Sequence, residues 1–277
     1  MEIKDTDIPD ETRHGITKTV GDYSTGLMLN GHFVGSGTFI SWNNRFGILT
    51  AEHVTNNPKS SELRMDFSGR RAQLLQVLIA PYPHALELDV RSLTNITFGP
   101  RISDERGPDG SVIILPQCRQ LLDIQAKKSF WPIDYNPEER LKKALSTQGF
   151  VMIAGFPGER QRSRGAQPGF TRTTEMQGIV AMTKQVDYFE NDSFDYLQVK
   201  SERVAGTDAP ESYGGLSGGG LWRIPVYLNQ HHKILAESIF AGIIYWQSSE
   251  DNRVRYLRAH GPKTIYKTLP QLLAKAG

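Results

Sequence analysis

Short apolar runs separated by Gly, Pro, Asn and Asp recur along almost the whole chain, and they constrain the possible folds most strongly. Each run has the length of a strand and is enriched in β-branched or aromatic residues, which indicates an all-β sandwich or a pair of β-barrels. The predicted strands are Gly26–Leu29, Gly37–Ile40, Phe46–Thr50, Leu74–Ala80, Ser111–Leu115, Phe150–Ala154, Gln177–Met182, Tyr196–Val199, Gly220–Ile224, Ser238–Tyr245 and Val254–Leu257.

Two segments are predicted to be helical. Asn136–Leu145 begins with Asn-Pro, which combines a capping residue with proline at the first helical position. Thr264–Lys275 carries Ile265, Leu269 and Leu273 at helical spacing, although Pro270 weakens the pattern. The polar stretch Pro116–Lys143 has few features of a strand and is interpreted as the connector between two β-halves.

The amino-acid composition restricts the functional classes to which the protein can belong. The 277 residues are 38% hydrophobic and 22% charged, as in ordinary globular proteins, and the net charge of +2 includes no basic stripe of the kind that binds nucleic acid. The single cysteine, Cys118, excludes an intrachain disulfide. The polar first residues and the lack of a membrane-spanning apolar run lead us to expect a cytoplasmic protein with neither nucleic-acid nor membrane partners.

Two segments contain candidates for proton transfer. The run Phe46–Leu49 is predicted to be a strand that delivers His53 to its end, where an imidazole titrating near neutral pH suits a general base. Asp109 precedes the apolar run Ser111–Leu115, and a buried carboxylate there needs a partner such as an imidazole N–H. Each residue alone is also compatible with a structural role, as a satisfied histidine or as a turn aspartate in Pro-Asp-Gly.

The segment Gly214–Trp222, with the sequence GGLSGGGLW, carries the most specific motif. Glycines on both sides of Ser217 allow a tight turn, and that turn can direct the backbone N–H groups of Gly215 and Ser217 at one point as an oxyanion hole. A flexible glycine loop is the alternative, but a linker is usually flanked by polar residues, whereas Leu221 and Trp222 follow here.

The order His53, Asp109, Ser217, with the elements Leu-Thr-Ala-Glu-His and Gly-Leu-Ser-Gly-Gly, resembles the chymotrypsin/trypsin clan of serine peptidases, in its bacterial and intracellular form. The resemblance implies a serine endopeptidase that needs no cofactor, acts on protein or peptide substrates, and has two six-stranded barrels and a C-terminal helix. It also implies that Tyr245, Trp246 and Gln247 line the substrate pocket. The implied organisation is a first barrel at 26–118, a connector at 119–147, a second barrel at 148–260 and a helix at 261–277.

Leu216 and Tyr245 depart from the residues of the animal digestive members, and Glu211 extends the resemblance. Leu216 replaces the aspartate that pairs with a freed N-terminus, so packing, substrate or a regulatory protein partner must order the loop. Tyr245 replaces the serine that commonly supports the catalytic aspartate. Glu211, six positions before Ser217, falls at the pocket base if the loop has the family length, which predicts cleavage after Lys or Arg; in a loop of different length Glu211 is solvated.

Two other functional classes remain as alternatives. A trypsin-like domain that has lost catalysis would be a binding or scaffold module. The Gly-x-Ser-x-Gly pattern also occurs in α/β-hydrolases, in which Asp251 and His260 would complete the triad, but little chain follows Ser217 to carry them. Adjacent His231 and His232 do not share a strand face, so no metal site is expected.

Overall fold

Two curled antiparallel β-sheets form the framework in the computed structural model, which describes residues 7–79, 85–99, 107–146, 149–164, 173–176, 179–183, 186–191, 193–202, 212–231, 233–251 and 253–276. The first sheet runs in the order β5-β4-β1-β2-β3-β7-β6, and a short β8 lies parallel to β2. Its strands are β1 (Ser24–Leu29), β2 (His32–Trp42), β3 (Arg45–Thr50), β4 (Leu74–Leu78), β5 (Ala85–Asp89), β6 (Thr94–Thr97), β7 (Ser111–Leu115) and β8 (Trp131–Pro132).

The second sheet runs in the order β12-β9-β15-β18-β19-β14-β13, and two hairpins, β10–β11 and β16–β17, stand beside it. The strands of this half are β9 (Phe150–Gly155), β10 (Gln161–Arg164), β11 (Thr173–Met176), β12 (Ile179–Thr183), β13 (Val186–Asn191), β14 (Phe194–Glu202), β15 (Gly220–Ile224), β16 (Val226–Leu228), β17 (Ile234–Ala236), β18 (Ile239–Gln247) and β19 (Val254–His260). The expected all-β class with two β-halves and a C-terminal helix is confirmed, and within the described residues the sheets have eight and seven strands.

Five α-helices accompany the sheets in the described part of the chain. The helix α1 was not predicted, and it docks because Ile16 and Val20 are four residues apart and both are buried in the larger core, to which both halves contribute. The Lys128 ammonium donates to the carbonyls of Gly21 and Ser24 at 3.0 and 2.9 Å, which ties the end of this helix to the connector. The helices are α1 (Asp10–Asp22), α2 (Glu52–Thr55), α3 (Arg119–Gln125), α4 (Pro137–Leu145) and α5 (Leu269–Lys275).

The start of α4 differs from its prediction in one detail. Asn136 stands at the capping position, but its side chain makes no capping hydrogen bond and its backbone is left-handed, with φ at 46°. The acidic residues Glu138 and Glu139 in the first turn favour the helix start instead, since the N-terminal end of a helix carries partial positive charge.

The C-terminal helix is confirmed, and a π-helical turn at Thr264–Thr268 precedes α5. The start of the π-helical turn is fixed by the buried carboxylate of Asp195 on β14, which accepts hydrogen bonds from Lys263 N at 2.9 Å and Thr264 N at 2.6 Å. None of the helices in the described residues has the length and apolarity needed to cross a membrane.

Candidate active site

His53 lies on the four-residue helix α2, directly after β3, and not at a strand end as the sequence predicted. The chain turns into a helix here because Val54 N and Asn56 N find carbonyl acceptors at Ala51 and Glu52, at 3.1 and 2.8 Å. Four residues are too few to show helical periodicity, so the sequence pattern could not reveal this turn. The His53 side chain is 25% exposed, which leaves one edge of the ring accessible.

Asp109 is completely buried just before β7, as the sequence predicted for the position ahead of the strand. Its carboxylate receives two hydrogen bonds from His53: Oδ2 lies 2.7 Å from Nδ1, and Oδ1 accepts from the backbone N–H at 3.0 Å. Because Nδ1 donates to the carboxylate, the neutral ring leaves Nε2 as an acceptor. The pair therefore has the tautomer that a general base requires.

Polar side chains fix α2 relative to the strand that follows Asp109. Thr55 Oγ1 lies 3.3 Å from Ser111 Oγ, and Ser111 Oγ donates to Asn95 Oδ1 at 2.6 Å. The Asn95 amide nitrogen donates to Thr55 Oγ1 at 3.4 Å, so the three side chains form a closed hydrogen-bond network. Since Thr55 and Ser111 are two residues from His53 and Asp109 respectively, this network holds the two elements in register.

Ser217 lies in a turn between β14 and β15 that only glycine neighbours permit. Gly215 and Gly218 have φ angles of +92° and +87°, in the left-handed region. A Cβ atom on Gly218 would lie 2.0 Å from the Ser36 carbonyl oxygen, so no side chain fits there. On the far side, Gly218 N donates to Ile244 O at 2.7 Å and Ile244 N donates to Gly219 O at 2.9 Å, which anchors the turn to β18.

The backbone N–H groups of this turn fall into two sets. Those of Gly214, Leu216, Gly218 and Gly219 donate to protein acceptors. Those of Gly215 and Ser217 have no protein acceptor among the described residues. The Gly214 carbonyl accepts from Gly158 N at 2.7 Å, and because the C=O and N–H of a trans peptide are antiparallel, Gly215 N–H is directed away from that contact.

Ser36 on β2 joins this turn to the first sheet. Its backbone N donates to Ser217 O at 2.8 Å, and its hydroxyl donates to Gly215 O at 2.7 Å. The same hydroxyl accepts from Phe156 N at 2.9 Å, and Thr50 Oγ1 donates to the Ser36 carbonyl at 2.7 Å. One residue of the first sheet, through its hydroxyl and its backbone N–H, thus orients the carbonyl groups of Gly215 and Ser217 on both sides of Leu216.

His53 and Ser217 face one cleft of about 360 Å³ between the two halves. In the described residues no hydrogen bond joins the Ser217 hydroxyl to His53; catalytic hydrogen bonds in unliganded sites are often long or poorly aligned and form fully when substrate binds. The cleft is lined by His53, Asn57, Pro58, Lys59, Tyr213, Gly214, Gly215, Ser217, Ile244, Tyr245, Trp246, Gln247 and Leu257.

The residues expected to bind substrate differ in how accessible their side chains are in the structure. Tyr245, Trp246 and Gln247 all line the cleft, but Tyr245 is 2% exposed and the carboxamide oxygen of Gln247 already accepts from Tyr213 N at 3.0 Å and from Arg255 at 3.2 Å. Glu211 lies outside the described residues, and His232 does too.

The triad of the α/β-hydrolase alternative does not assemble. His260 is completely buried at the end of β19, whereas Asp251 is exposed. Among the described residues there is also no group of three or more His, Cys, Asp or Glu side chains that could hold a metal ion.

Sequence reasoning did not find two contacts that shape the site: those of Ser36, which it did not consider, and that of His260 with Asp109, since it considered His260 only for the α/β-hydrolase alternative. His260 accepts a hydrogen bond from Asp109 N at 3.0 Å across 151 positions of sequence, a contact that no local pattern reveals. Ser36 stands between Gly35 and Gly37, and a small polar residue flanked by glycines on a strand was the available sign of a close approach.

Comparison with solved structures finds distant likenesses. A structure described in a study of the coupled folding and binding of the intrinsically disordered Sesbania mosaic virus VPg protein is 11% identical over 90% of each chain, with a TM-score of 0.46. Kallikrein-related peptidase 10 is 10% identical over 93% of this chain and 97% of its own, with a TM-score of 0.41. No protein-family model and no curated protein sequence matches the chain. Because both TM-scores are below 0.5, the fold assignment rests on the strand order described above.

Proposed function

We propose that the chain is a trypsin-like serine endopeptidase with Ser217 as nucleophile, His53 as general base and Asp109 as the carboxylate that orients His53. The observation that carries the proposal is the composition of one cleft. It holds Ser217, two backbone N–H groups that have no acceptor in the part of the chain that the structure describes, and a histidine whose Nδ1 is already paired with a buried carboxylate. Each group has a distinct task in acyl transfer.

The mechanism follows from these positions. His53 Nε2 takes the proton of Ser217, whose oxygen attacks the substrate carbonyl carbon and forms a tetrahedral oxyanion. The N–H groups of Gly215 and Ser217 stabilise that oxyanion without reorganising, because within the described ranges they have no protein acceptor to release. His53 then protonates the leaving amine, and water attacks the acyl-enzyme by the reverse sequence of proton transfers. Asp109 holds the tautomer and stabilises the imidazolium in both steps.

The substrate class follows from the architecture of the cleft and the resemblance in sequence. A groove open at the surface, with the end of β18 on one side, where the strand continues past its pairing with β15, suits an extended peptide segment. The preference for Lys or Arg before the cut, with Glu211 as its partner, remains a prediction from the sequence, as do the cytoplasmic location and a regulatory protein partner.

A fluorophosphonate probe, which reacts with activated serine hydroxyls, tests the proposal directly. The wild-type chain should be labelled at Ser217, and Ser217→Ala should abolish labelling. His53→Ala should slow labelling and peptide hydrolysis by on the order of 10⁴-fold or more, and Asp109→Asn by on the order of 10⁴-fold through loss of the tautomer.

Exposed residues of the same types supply the controls. Ser249→Ala and His231→Ala change solvent-facing side chains outside the cleft, and both variants should keep the wild-type labelling rate. A folded wild-type chain that is neither labelled nor able to cleave a peptide library would support the catalytically silent binding module instead.

A further inference from the structure

Asp109 is held from two sides. Its carboxylate meets His53, and its backbone N–H donates to Nε2 of His260 at 3.0 Å. Asp109 and His260 are both completely buried, so water cannot replace the imidazole as the acceptor. The position of the carboxylate therefore depends on a second histidine that touches neither the cleft nor the substrate.

The hydrogen bond to Asp109 fixes the protonation state of His260. Nε2 can accept only while it carries no proton, so the neutral ring has its proton on Nδ1. Nδ1 has no hydrogen-bond partner among the described residues. The ring lies against an aromatic cage of Phe98, Phe194, Tyr196 and Tyr245, with distances of 4.8–5.8 Å between ring centroids. Burial in this cage lowers the pKa of His260 to about 4, which keeps the ring neutral at pH 7.

A neutral acceptor is the group that the site needs behind Asp109. An imidazolium there would present an N–H to the N–H of Asp109 and would attract the same carboxylate charge that stabilises protonated His53. The neutral ring fixes the main chain and leaves the charge of Asp109 to His53. Tyr245, which stands where the resembled family has a supporting serine, contributes one wall of the cage.

We propose that His260 is a positioning residue of the active site: by accepting the backbone N–H of Asp109, it sets the carboxylate at hydrogen-bonding distance from His53 Nδ1. This inference rests on the proposed peptidase function for its kinetic consequence, but not for its structural one. Without the acceptor, Asp109 N–H is buried and unpaired, and the chain moves to find water or another acceptor. Small displacements of catalytic groups cost large factors in rate.

Two substitutions distinguish the effect of losing the hydrogen-bond acceptor from the effect of losing the volume of the ring. In His260→Gln the side-chain carbonyl can reach the position of Nε2, and in His260→Phe the ring shape stays while the acceptor is lost. We expect His260→Phe to slow fluorophosphonate labelling by on the order of 10²-fold and His260→Gln to retain labelling within about threefold of wild type. The loss in His260→Phe should fall on kcat, with KM for a peptide substrate unchanged.

The matched control disturbs the same cage without touching the hydrogen bond. Phe194 packs on His260 with ring centroids 5.8 Å apart and stacks on Phe98 at 6.1 Å, and Phe194→Leu removes these ring contacts while leaving the acceptor of Asp109 N–H in place. Phe194→Leu should lower the thermal midpoint while keeping the wild-type labelling rate. Equal labelling of His260→Phe, Phe194→Leu and wild type would overturn the proposal.

Proton NMR supplies a readout that needs no activity. The Nδ1–H of His53, hydrogen-bonded to Asp109, should give a strongly downfield resonance in wild type and His260→Gln that is lost or shifted upfield in His260→Phe. If wild type is not labelled by the probe, the peptidase proposal fails and this resonance still decides the role of His260. An unchanged resonance in folded His260→Phe contradicts that role. If His260→Phe does not fold, His260→Asn replaces it, because the shorter side chain cannot reach Asp109 N–H. Equal labelling rates and equal His53 resonances in His260→Asn and His260→Gln would then overturn the proposal.

Discussion

Leu216, immediately before the proposed nucleophile Ser217, is completely buried and belongs to the larger hydrophobic core, which contains residues of both halves. A Cβ atom on Gly155 would lie 2.6 Å from its Cδ2, so the leucine fills the space above β9 closely. Its backbone N donates to Tyr213 O at 3.0 Å and its carbonyl accepts from Gly219 N at 2.7 Å. Packing of an apolar side chain therefore orders the turn, where the digestive peptidases that the sequence resembles use an ion pair.

Leu216→Ala tests this ordering. The substitution should lower the free energy of unfolding by about 2–5 kcal/mol, since it deletes buried methyl groups and leaves a cavity. It should also slow labelling of Ser217, because the two unbonded N–H groups flank the loosened residue. Urea denaturation and the probe measure the two effects. Leu122→Ala, at a site that is 65% exposed, should change stability by less than about 0.5 kcal/mol. Wild-type stability and labelling in Leu216→Ala would contradict the packing argument.

At the scale of elements, α1 is the one whose role was least visible in the sequence. Only Ile16 and Val20 form its apolar stripe, and the remaining residues are polar or small. Burying these two side chains is worth about 1.5–3 kcal/mol each. The bonds of Lys128 to Gly21 O and Ser24 O, and of Ser129 N to Asp22 O at 3.0 Å, add polar links from the helix end to the connector.

Ile16→Ala should destabilise the chain by about 2–5 kcal/mol in urea denaturation, because Ile16 is 6% exposed and its removal opens a space between α1 and the second half. Lys18→Ala, on the exposed side of the same helix, should stay within about 0.5 kcal/mol of wild type. Equal midpoints for both variants would show that α1 adds nothing to the stability of the fold.

The strands were predictable because β-branched runs are local features. Ser111–Leu115 and Gly220–Ile224 appear with the expected bounds as β7 and β15. The helical turn at His53 is too short for a periodic pattern, and α1 is stabilised by tertiary contacts that its own composition does not disclose. The three chemical motifs could be found in sequence because each is a contiguous segment. The support from His260 and Ser36 could not, because it joins residues 151 and about 180 positions apart.

For the whole molecule, His260 links stability to pH. Its pKa of about 4 in the folded chain is below the ordinary value of 6.5, so between these values the unfolded chain binds a proton that the folded chain does not. Stability contributed by the neutral ring is complete above pH 6.5 and is lost as pH falls toward 4, by up to about 3 kcal/mol. Urea denaturation from pH 7 to pH 4 should show this loss in wild type.

His260→Gln removes the titrating group and should flatten the pH dependence over the same interval. The exposed carboxylates of Asp66 and Asp89, whose pKa values are lowered by hydrogen bonds from Ser68 and by Arg91, are present in both chains and cancel in the comparison. His32→Gln, which changes an exposed histidine, should keep the wild-type slope. If the free energies of unfolding of wild type and His260→Gln fell in parallel between pH 7 and pH 4, His260 would not be the cause of the pH dependence.

The hydrogen bonds of Ser36 place the glycine-rich turn that carries Ser217 at the boundary between the two sheets. Each sheet keeps its own backbone ladder when the boundary opens, but the carbonyls of Gly215 and Ser217 lose their donors at the same moment. Under the proposed function, a small movement of β2 away from this turn would therefore disturb the backbone N–H groups beside Ser217, so a ligand bound at the boundary between the sheets would slow labelling of Ser217 without entering the cleft.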